Sequence, residues 1–591
     1  MKPLSILIGF LIICGAVTWG YFQYQKPHWK ASIKELMVEA QSTPLKSESW
    51  GILSEKAQTA LPRFYPFSLV GETFYDVANV LQKYEEKPEI NINTEKNLIP
   101  TESIEGAHVY LDNLQASVEQ LFRTTQKLPE NYIPESYRET FRKEKEKLQK
   151  VVSLSRDIDT IHKAIDEAFK EKSSIMLLLQ NQHEPRSTGG FSGSLVHFDF
   201  TDEGLAWDFS DVYAIDRDIP EIVQIPAPEF FHDLSKNISF RDSNFWPDFP
   251  TSAQVYQSLL EGAGKKSPDT IIAINLNIIR DILAMTGSIN LEPWYIEANT
   301  ENFDIVLQFL VESKIAGRFS TKAPIDYFAT RLIKEVMALK DSEAFEAKLK
   351  KWVTNKDLMI YSRNASLQKL IRQAKIGGPL EPSEQVDDFL HFDFVSIGAN
   401  KSEKFVWTNF EHNSEIDPQG FIRNTIKIKR THALRNGQIE SILGLEKLPP
   451  NIQALFAGDI PWKLGYGQNR TILRLWVPLE AKLLSNATVS GPIKTAQDEK
   501  MPGFQIWEVP LFISPRESMQ TEISYLTKLK KGNAKWRPYF FQLLGTPGRD
   551  EKTKFLKTIS TPTPANIEYL DQNTGGWQPL HDTDYRADVR F

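Results

Sequence analysis

The sequence contains one cysteine, Cys14, among 591 residues. A single thiol forms no disulfide within the chain, and beyond this position no thiolate is available to bind a metal. Positive charge is not in excess either, because 69 Lys and Arg stand against 76 Asp and Glu and the formal net charge is −7. A nucleic-acid-binding surface needs a basic excess to displace counterions, so the composition predicts no nucleic-acid partner.

Several common catalytic and nucleotide-binding motifs are also missing. The segment GFSGS at 190–194 has Ser194 where a nucleophile elbow requires its final glycine. The segment GAGKKS at 262–267 lacks the first glycine of a P-loop and has Lys266 in the Ser/Thr position. The ten histidines are scattered without an H-E-x-x-H motif, which argues against a zinc hydrolase.

A long apolar segment occupies the N-terminus. Leu4–Phe22 carries no charge and is long enough to cross the ~30 Å hydrocarbon core of a bilayer. Lys2 precedes it, and Trp19 and Tyr21 lie near its far end, where interfacial aromatic residues are common. A cleaved signal peptide is the alternative, but no clear A-x-A site follows and the segment is long for one. Residues 1–25 are therefore predicted to be a single-pass anchor in the cell membrane, with the bulk of the chain extracytoplasmic.

The remaining chain divides into three predicted regions. Residues 26–170 have apolar residues at helical spacing in Ile104–Lys127 and Ser136–Lys170, which predicts a helical hairpin. Residues 171–385 alternate strands with helices, which is typical of an α/β domain. Residues 386–591 lose the helical periodicity and favour an antiparallel, immunoglobulin-like β-sandwich. The predicted fold class is therefore mixed: a transmembrane helix, a helical hairpin region, an α/β sandwich domain and a β-sandwich domain.

Individual elements of the α/β region can be predicted from local patterns. Ile175–Leu179 is an apolar run typical of a buried strand, and a hairpin is expected around the turn at 202–204. Thr251–Leu260 reads as a helix that begins with a capping box formed by Thr251 and Gln254. Ile278–Met285 is predicted to be a helix that ends at Gly287.

The loop after the strand Ile175–Leu179 is the first candidate site. It carries Arg186 and the glycines Gly189 and Gly190. Glycine amides in a tight turn can form an anion-binding concavity, and arginine adds a bidentate partner for phosphate or carboxylate. The structural alternative is a tight turn whose arginine makes an internal ion pair.

The segment RDSNFWPDFP at 241–250 is the second candidate. Arg241, Asp242 and Asp248 stand among aromatic residues and prolines, a composition typical of a rigid polar site. The alternative is an ordered loop in which Asp248 caps a helix.

Acidic residues at 208–218 form a weaker third candidate. Asp211 and Asp216 could supply oxygen ligands to a metal ion such as Mg²⁺. A charge run of this kind is also typical of a solvated surface.

Three segments together carry a family resemblance: LLLQNQHEPRSTGGFSGS, RDSNFWPDFPTSAQ and PDTIIAINLNIIRDILAMTGSI. In this order they resemble the bacterial domain of unknown function family 4012, whose members have an N-terminal anchor, a helical region, an α/β domain and a β-rich C-terminal domain. The order of elements is also distantly similar to the LytR–CpsA–Psr phosphotransferases. That similarity implies that Arg186 binds diphosphate, that Asp211 or Asp216 binds Mg²⁺, and that Arg318 or Arg331 is a further clamp.

Two functions remain open at this point. One is a non-catalytic binding or scaffold protein of the cell envelope, in which Arg186 and Asp242 would be held in intramolecular ion pairs with no open pocket. The alternative is a phosphotransferase that acts on glycopolymers linked to a polyprenyl diphosphate carrier. The sequence leaves open whether the protein is an enzyme.

Overall fold

The computed structural model describes residues 96–127 and 173–590, together with isolated positions between 72 and 149. Short gaps fall at 318–320, 338–341, 385, 486, 531–535, 550, 562–566 and 570–576. The predicted anchor at 1–25 and almost all of the predicted helix Ser136–Lys170 lie outside the described residues. In the part that is described, no helix combines the length and the apolar composition that a membrane span requires.

The chain forms two compact units, of which the first contains Met1–Ser173 and Asp199–Trp207. Its described elements are the short strand β1 (Leu98–Pro100) and the helix α1 (Thr101–Lys127). The helix has Glu102 in its first turn and Lys127 in its last, an arrangement that complements the helix dipole. The prediction of a helix over Ile104–Lys127 is confirmed.

The second unit, Ser174–Phe198 and Asp208–Phe591, begins with a mixed α/β part; residues 199–201 and 204–207, in its second and third strands, are assigned to the first unit. Its strands and helices are, in chain order, β2 (Ser174–Asn181), β3 (Phe191–Thr201), β4 (Gly204–Asp211), α2 (Val212–Arg217), β5 (Ile225–Pro226), β6 (Asn237–Ile238), α3 (Phe249–Gly262), β7 (Thr270–Asn275), α4 (Leu276–Thr286), β8 (Ile289–Leu291), β9 (Ile296–Ala298), α5 (Phe303–Glu312), α6 (Ala323–Met337), α7 (Ser342–Thr354), β10 (Leu358–Ser362) and α8 (Ala365–Gln373). The mixed α/β class is confirmed.

Strand β2 lies in the middle of the main sheet, between β3 and β7. Every second residue of β2 is buried, and Met176 and Leu178 are fully buried, because alternate side chains of a strand point to opposite faces. β7 runs parallel to β2, with Ile175 opposite Thr270 and Gln180 opposite Asn275. The two strands therefore end at the same edge of the sheet.

The ends of helices α3 and α4 show which local predictions hold. Gly287 ends α4 with a φ of 94°, as the prediction requires. The capping box at Thr251 is wrong, because α3 begins at Phe249 and its N-cap is Asp248. Pro250 lies in the first turn, where its missing N–H costs no helical hydrogen bond, so the helix extends further toward its N-terminus than the apolar spacing indicates.

The C-terminal part consists mainly of two sheets. The described strands of the first sheet are β11 (Asp388–Ser396), β14 (Asn469–Pro478), β18 (Lys494–Ala496), β19 (Phe504–Ile513), β21 (Trp536–Leu544), β23 (Ile567–Tyr569) and β25 (Thr583–Arg590). Those of the second are β12 (Val406–Ile416), β13 (Phe421–His432), β15 (Lys482–Leu483), β20 (Ser518–Lys528), β22 (Thr553–Ser560) and β24 (Gln578–Pro579). A small ribbon, β16 (Ala487–Thr488) and β17 (Gly491–Pro492), and the helices α9 (Gln438–Leu443) and α10 (Pro450–Gln453) complete it.

One hydrophobic core joins the two sheets into a sandwich, with Phe392 and Leu475 from the first and Phe410 and Ile426 from the second all fully buried. The prediction of an entirely antiparallel sandwich is wrong in two places. β11 runs parallel to β21, and β12 runs parallel to β22. Each parallel pair joins strands that are far apart in sequence, so local alternation carries no information about its direction.

The α/β part and the sandwich share a second core. Met176 and Trp246 from the α/β part belong to the same buried cluster as Val395, Trp476 and Phe504 from the sandwich. The loops that follow β2 and precede α3 are therefore packed against a sheet instead of facing solvent.

Candidate functional site

Arg186 lies in the loop after β2 and is 3% exposed. Its Nε donates to Asp242 Oδ1 at 3.1 Å, and its Nη1 donates to the carbonyl oxygens of Pro185 at 3.0 Å and Ser396 at 3.1 Å. Its Nη2 donates to Glu184 Oε1 at 3.4 Å. Burial alone would lower the pKa of Arg186, but the charges of Asp242 and Glu184 outweigh it and raise the pKa. The donors of this guanidinium are thus engaged within the chain.

Arg186 belongs to a row of ion pairs that we call the Arg186 ladder: Glu184, Arg186, Asp242, Arg241 and Asp216. Beyond the pairs that Arg186 makes with Glu184 and Asp242, an oxygen of Asp242 lies 3.5 Å from Arg241 Nε, and Arg241 Nη1 donates to Asp216 Oδ2 at 2.6 Å. Burial raises the pKa of Asp242, although Arg186 and Arg241 oppose it. The structure therefore brings together four of the predicted site residues, in the intramolecular arrangement that the binding or scaffold hypothesis expects.

The two glycines of the loop are required by close packing. Gly189 has a φ of 131°, and a Cβ built on it would lie 2.4 Å from Asn275 Oδ1. A Cβ on Gly190 would lie 2.2 Å from the backbone carbon of Asn181. The Gly189 amide donates to the carbonyl of Arg186 at 2.9 Å, which closes a turn within the loop. Glycine at these positions is explained by the positive φ of Gly189 and by close packing, without a ligand.

Asp248 and Asp211 stand apart from the ladder, each at the start of a helix. Asp248 Oδ2 accepts from the Thr251 amide at 2.9 Å, and Asp248 Oδ1 accepts from the Leu380 amide at 2.9 Å. Asp211 is the N-cap of α2 and accepts from the Tyr213 amide at 3.1 Å. The geometry favours capping for both, which for Asp248 is the alternative that the sequence left open.

The predicted metal residues occupy opposite ends of α2, with Asp211 before it and Asp216 near its end, bound to Arg241. Within the described ranges, no group of three or more His, Cys, Asp or Glu side chains is arranged to hold a metal ion. Of the further clamps that the resemblance implies, Arg331 pairs with Glu292 at 3.0 Å on the surface, and Arg318 lies outside the described residues.

A cavity of ≈ 370 Å³ lies beside the ladder, at the edge where the parallel strands β2 and β7 end. The binding or scaffold hypothesis expects no open pocket with these ion pairs, so this part of the expectation is not met. Ligands of α/β proteins commonly bind outside the carboxyl ends of parallel strands. Helices α4, α5 and α6 supply 12 of its 26 lining residues, and we call it the helix-walled cavity. Its apolar lining residues are Leu179, Phe191, Ile274, Leu276, Ile279, Phe303, Leu307, Val311, Ile325, Phe328, Ala329, Leu332 and Ala399.

Three lysines mark the polar end of the helix-walled cavity: Lys322, Lys401 and Lys463. Lys401 is paired with Glu184 at the end of the ladder, and Lys463 is paired with Glu312 at 3.0 Å. These two ammonium groups are therefore neutralised by the protein.

Lys322 differs from the other two lysines. Among the residues that the structure describes, its Nζ has no hydrogen-bond acceptor and no carboxylate within ion-pair distance. Asp211 and Glu312 act on it only from a distance, and burial lowers its pKa. A Cβ built on Gly193 would lie 3.6 Å from this Nζ, an ordinary contact distance, so the ammonium lies against strand β3.

Asp304 lines the same cavity on α5, between two donors. It is bound to His183 Nε2 at 2.6 Å and to Lys404 Nζ. Burial would raise the pKa of Asp304, but Lys404 and His183 hold it well below its usual range. Burial lowers the pKa of His183 to about 4. Asp304 is thus an ionised carboxylate whose charge is already compensated inside the protein.

Sequence reasoning missed all three cavity lysines. They come from a turn before α6 and from two loops of the sandwich, far apart in the chain, and no motif surrounds them. The apolar run Ile175–Leu179 and the loop after it did predict where the site lies, because this strand ends at the edge of the sheet where the cavity opens.

Comparison with known proteins finds a family match for the part of the chain that contains the Arg186 ladder. No curated protein matches the chain. Residues 170–308, which run from β2 into α5 and contain the Arg186 ladder and part of the cavity wall, match a family described as a protein of unknown function, DUF4012.

Proposed function

We propose that the protein is a non-catalytic binding protein of the cell envelope, and that the helix-walled cavity holds an amphiphile with an apolar chain and an anionic headgroup. A polyprenyl phosphate, the type of lipid that carries envelope glycopolymers, has this chemistry. The observation that carries the proposal is Lys322, a lysine without a partner among the described residues, at the polar end of a cavity that is lined by both apolar and polar side chains.

The cavity's lining supports an apolar chain. Side chains such as Leu307, Val311, Phe328 and Leu332 face it from two helices, and its volume of ≈ 370 Å³ lies within the usual ~300–1,000 Å³ of ligand pockets. Burial of a hydrocarbon chain against such a surface contributes roughly 25 cal/mol per Å² of apolar area. The chain would supply affinity, and the headgroup would supply orientation.

The charge distribution supports an anionic headgroup. Lys401 and Lys463 are compensated by Glu184 and Glu312, which leaves Lys322 to meet an incoming charge. A phosphate oxygen bound by an ammonium forms a charge-assisted hydrogen bond, which is stronger than a neutral one.

A membrane location is part of the proposal. It is supported by the uncharged segment Leu4–Phe22 with its aromatic end. An anchored, extracytoplasmic protein would meet its lipid ligand in the membrane that holds it. Extraction of the native membrane fraction at alkaline pH should leave the chain in the pellet, and its release into the supernatant would contradict the anchor.

A transfer reaction has less support than binding. The arginine that it would use, Arg186, and one of the two acidic residues, Asp216, are bound to partners in the Arg186 ladder. The other acidic residue, Asp211, accepts from the Tyr213 amide as the N-cap of α2. A binding role needs no further group than those that line the cavity.

Binding can be tested with farnesyl phosphate and farnesol, which share one isoprenoid chain and differ in the charged group. The full-length chain in detergent should bind the phosphate more tightly than the alcohol. Lys322→Met should weaken phosphate binding about tenfold to a hundredfold, since a hydrogen bond to a charged group contributes ~1.5–3 kcal/mol, and should leave alcohol binding unchanged. Lys334→Met, at an exposed position of α6, the helix that follows Lys322, is the matched control.

A second variant separates the chain from the headgroup. Ala329 lines the cavity on α6, so Ala329→Trp should fill the space and abolish binding of both probes. Equal affinity for phosphate and alcohol in the unaltered protein would refute the anionic ligand. Magnesium-dependent release of phosphate from farnesyl diphosphate would instead favour the phosphotransferase alternative.

A further inference from the structure

A second buried polar cluster lies inside the C-terminal sandwich, away from the helix-walled cavity. It consists of Asp388 on β11, His412 and Ser414 on β12, Asn424 on β13 and Lys557 on β22. Four of these residues are 0% exposed and Lys557 is 2% exposed. A lysine is rarely buried to this degree without a paired carboxylate, so the cluster needs an explanation.

Lys557 is placed as a nucleophile. Its Nζ lies over the Phe541 ring at 4.3 Å, donates to Ser414 Oγ and lies 3.3 Å from His412 Nδ1. No described carboxylate is within ion-pair distance of it, and burial holds the pKa of the ammonium well below its usual range. A neutral amine with two hydrogen bonds donated retains a free lone pair.

Asn424 is placed as the group to be attacked. Its carbonyl Oδ1 accepts from Ser414 Oγ and lies 3.2 Å from His412 Nε2. Ser414 Oγ is therefore in hydrogen-bond contact with both the Lys557 amine and the Asn424 carbonyl. Two donors on one carbonyl oxygen polarise it and stabilise the negative charge that develops when a nucleophile adds to its carbon.

One tautomer of His412 satisfies its contacts with Asn424 and Lys557. With the proton on Nε2, the ring donates to Asn424 Oδ1, and Nδ1 is free to accept a proton from Lys557. The Tyr525 hydroxyl lies 3.2 Å from the same Nε2 and 3.2 Å from Asp388 Oδ2, so it links the histidine to the acid.

Asp388 is placed at the leaving nitrogen. Its Oδ2 accepts from Asn424 Nδ2 at 2.9 Å, and its Oδ1 has no partner among the described residues. Burial raises the pKa of Asp388 to about 7, so the carboxyl group can carry a proton and deliver it.

We propose that Lys557 and Asn424 form an intramolecular amide cross-link after the chain folds. The bond from Lys557 Nζ to Asn424 Cγ forms, and the Cγ–Nδ2 bond breaks. His412 Nδ1 takes one proton from Nζ, Asp388 gives one to Nδ2, and ammonia leaves. A proton then passes from His412 Nε2 through the Tyr525 hydroxyl to Asp388, which restores both groups. Neither an oxidant nor a cofactor is consumed.

The cross-link would clamp one sheet across its centre. Asn424 is opposite Ser414 on β13, and Lys557 is opposite His412 on β22, so the bond spans the intervening strand β12. The sequence has a single cysteine, Cys14, and therefore no internal disulfide. An amide between side chains would provide a covalent tie that does not depend on redox conditions.

Mass spectrometry of the full-length chain decides the question. Digestion should yield one branched peptide that contains residues 424 and 557, lighter by one ammonia than the sum of its two linear peptides. Asp388→Asn keeps both reacting side chains but removes the proton donor, and it should yield the two linear peptides instead. Lys557→Met should do the same.

The unaltered protein alone can overturn the proposal. Linear peptides of unchanged mass at both positions, from chain purified in its folded form, would show that the cluster is only a hydrogen-bond network. This outcome does not depend on whether either variant folds, and it has no bearing on binding at the helix-walled cavity.

Discussion

Replacing Arg186 by methionine tests whether the loop after β2 is a structural element or a ligand site. The substitution keeps an unbranched side chain of similar length in a buried position but removes the charge that Asp242 and Glu184 face. Breaking a buried ion pair by removing one partner costs about 3–5 kcal/mol, because the other charge stays buried. Lys401 still faces Glu184 and Arg241 still faces Asp242, so we expect a loss near 3 kcal/mol.

The assay is urea unfolding of the full-length chain, followed by tryptophan fluorescence. Trp246 reports on this region, since its indole donates to Asp498 at 2.9 Å and its ring belongs to the core shared with the sandwich. Arg331→Met is the matched control. Its ion pair with Glu292 is exposed, with side chains 43% and 56% accessible, so its removal should cost less than about 1 kcal/mol.

A double variant makes the result specific to the ladder. Arg186→Met combined with Asp242→Asn removes both charges of the pair, and it should be more stable than the sum of the two single effects predicts. If Arg186→Met unfolds at the same urea concentration as the unaltered protein but loses binding of farnesyl phosphate, the structural interpretation of this arginine is refuted.

Three further substitutions have defined outcomes. Gly190→Ala should destabilise the protein by more than about 2 kcal/mol in urea unfolding, because its Cβ would lie 2.2 Å from a backbone carbon, whereas Gly503→Ala, where nothing lies within 4 Å of the added carbon, should change stability little. Asp248→Ala should cost about 1 kcal/mol for the lost cap of α3, and an unchanged urea midpoint would contradict the capping role. Burial raises the pKa of Asp357 to about 7. Because its pKa in the unfolded chain is about 4, the free energy of unfolding should fall by about 1.4 kcal/mol per pH unit as the pH rises from about 4 to about 7. Asp357→Asn should remove this slope, and an unaltered pH profile of the urea midpoint would show that Asp357 does not titrate in this range.

The local elements of the α/β part could be predicted because their signals are local. The apolar run Ile175–Leu179 identified the strand that the structure has at 174–181, and the turn at 202–204 identified the hairpin. The start of α3 was misplaced because capping depends on one side chain, Asp248, which the apolar spacing does not reveal. Whether an element is a helix or a strand can thus be predicted from the sequence more accurately than the residue at which it begins.

The candidate site was predictable in position but not in composition. The sheet edge after β2 was identified, and the cavity opens there. Lys322, Lys401 and Lys463 reach it from separate segments, and only the folded chain brings them together. The parallel pairing of β11 with β21 and of β12 with β22 escaped prediction for the same physical reason, since partners far apart in sequence leave no periodic trace.

Because the α/β part and the sandwich share one hydrophobic core, the α/β part can complete its packing only after the sandwich strands have been synthesised. Arg186 leaves the ribosome early, but its acceptor on Ser396 and the Arg474 guanidinium that binds Ser187 Oγ at 2.7 Å are made much later. Until the sandwich strands have been synthesised, Arg186 has its charge partner Asp242 but lacks its acceptor on Ser396, and Ser187 lacks the donor Arg474. Residues 170–308 are therefore not expected to reach their native state alone, and the nascent chain must keep this segment soluble until β14 is complete.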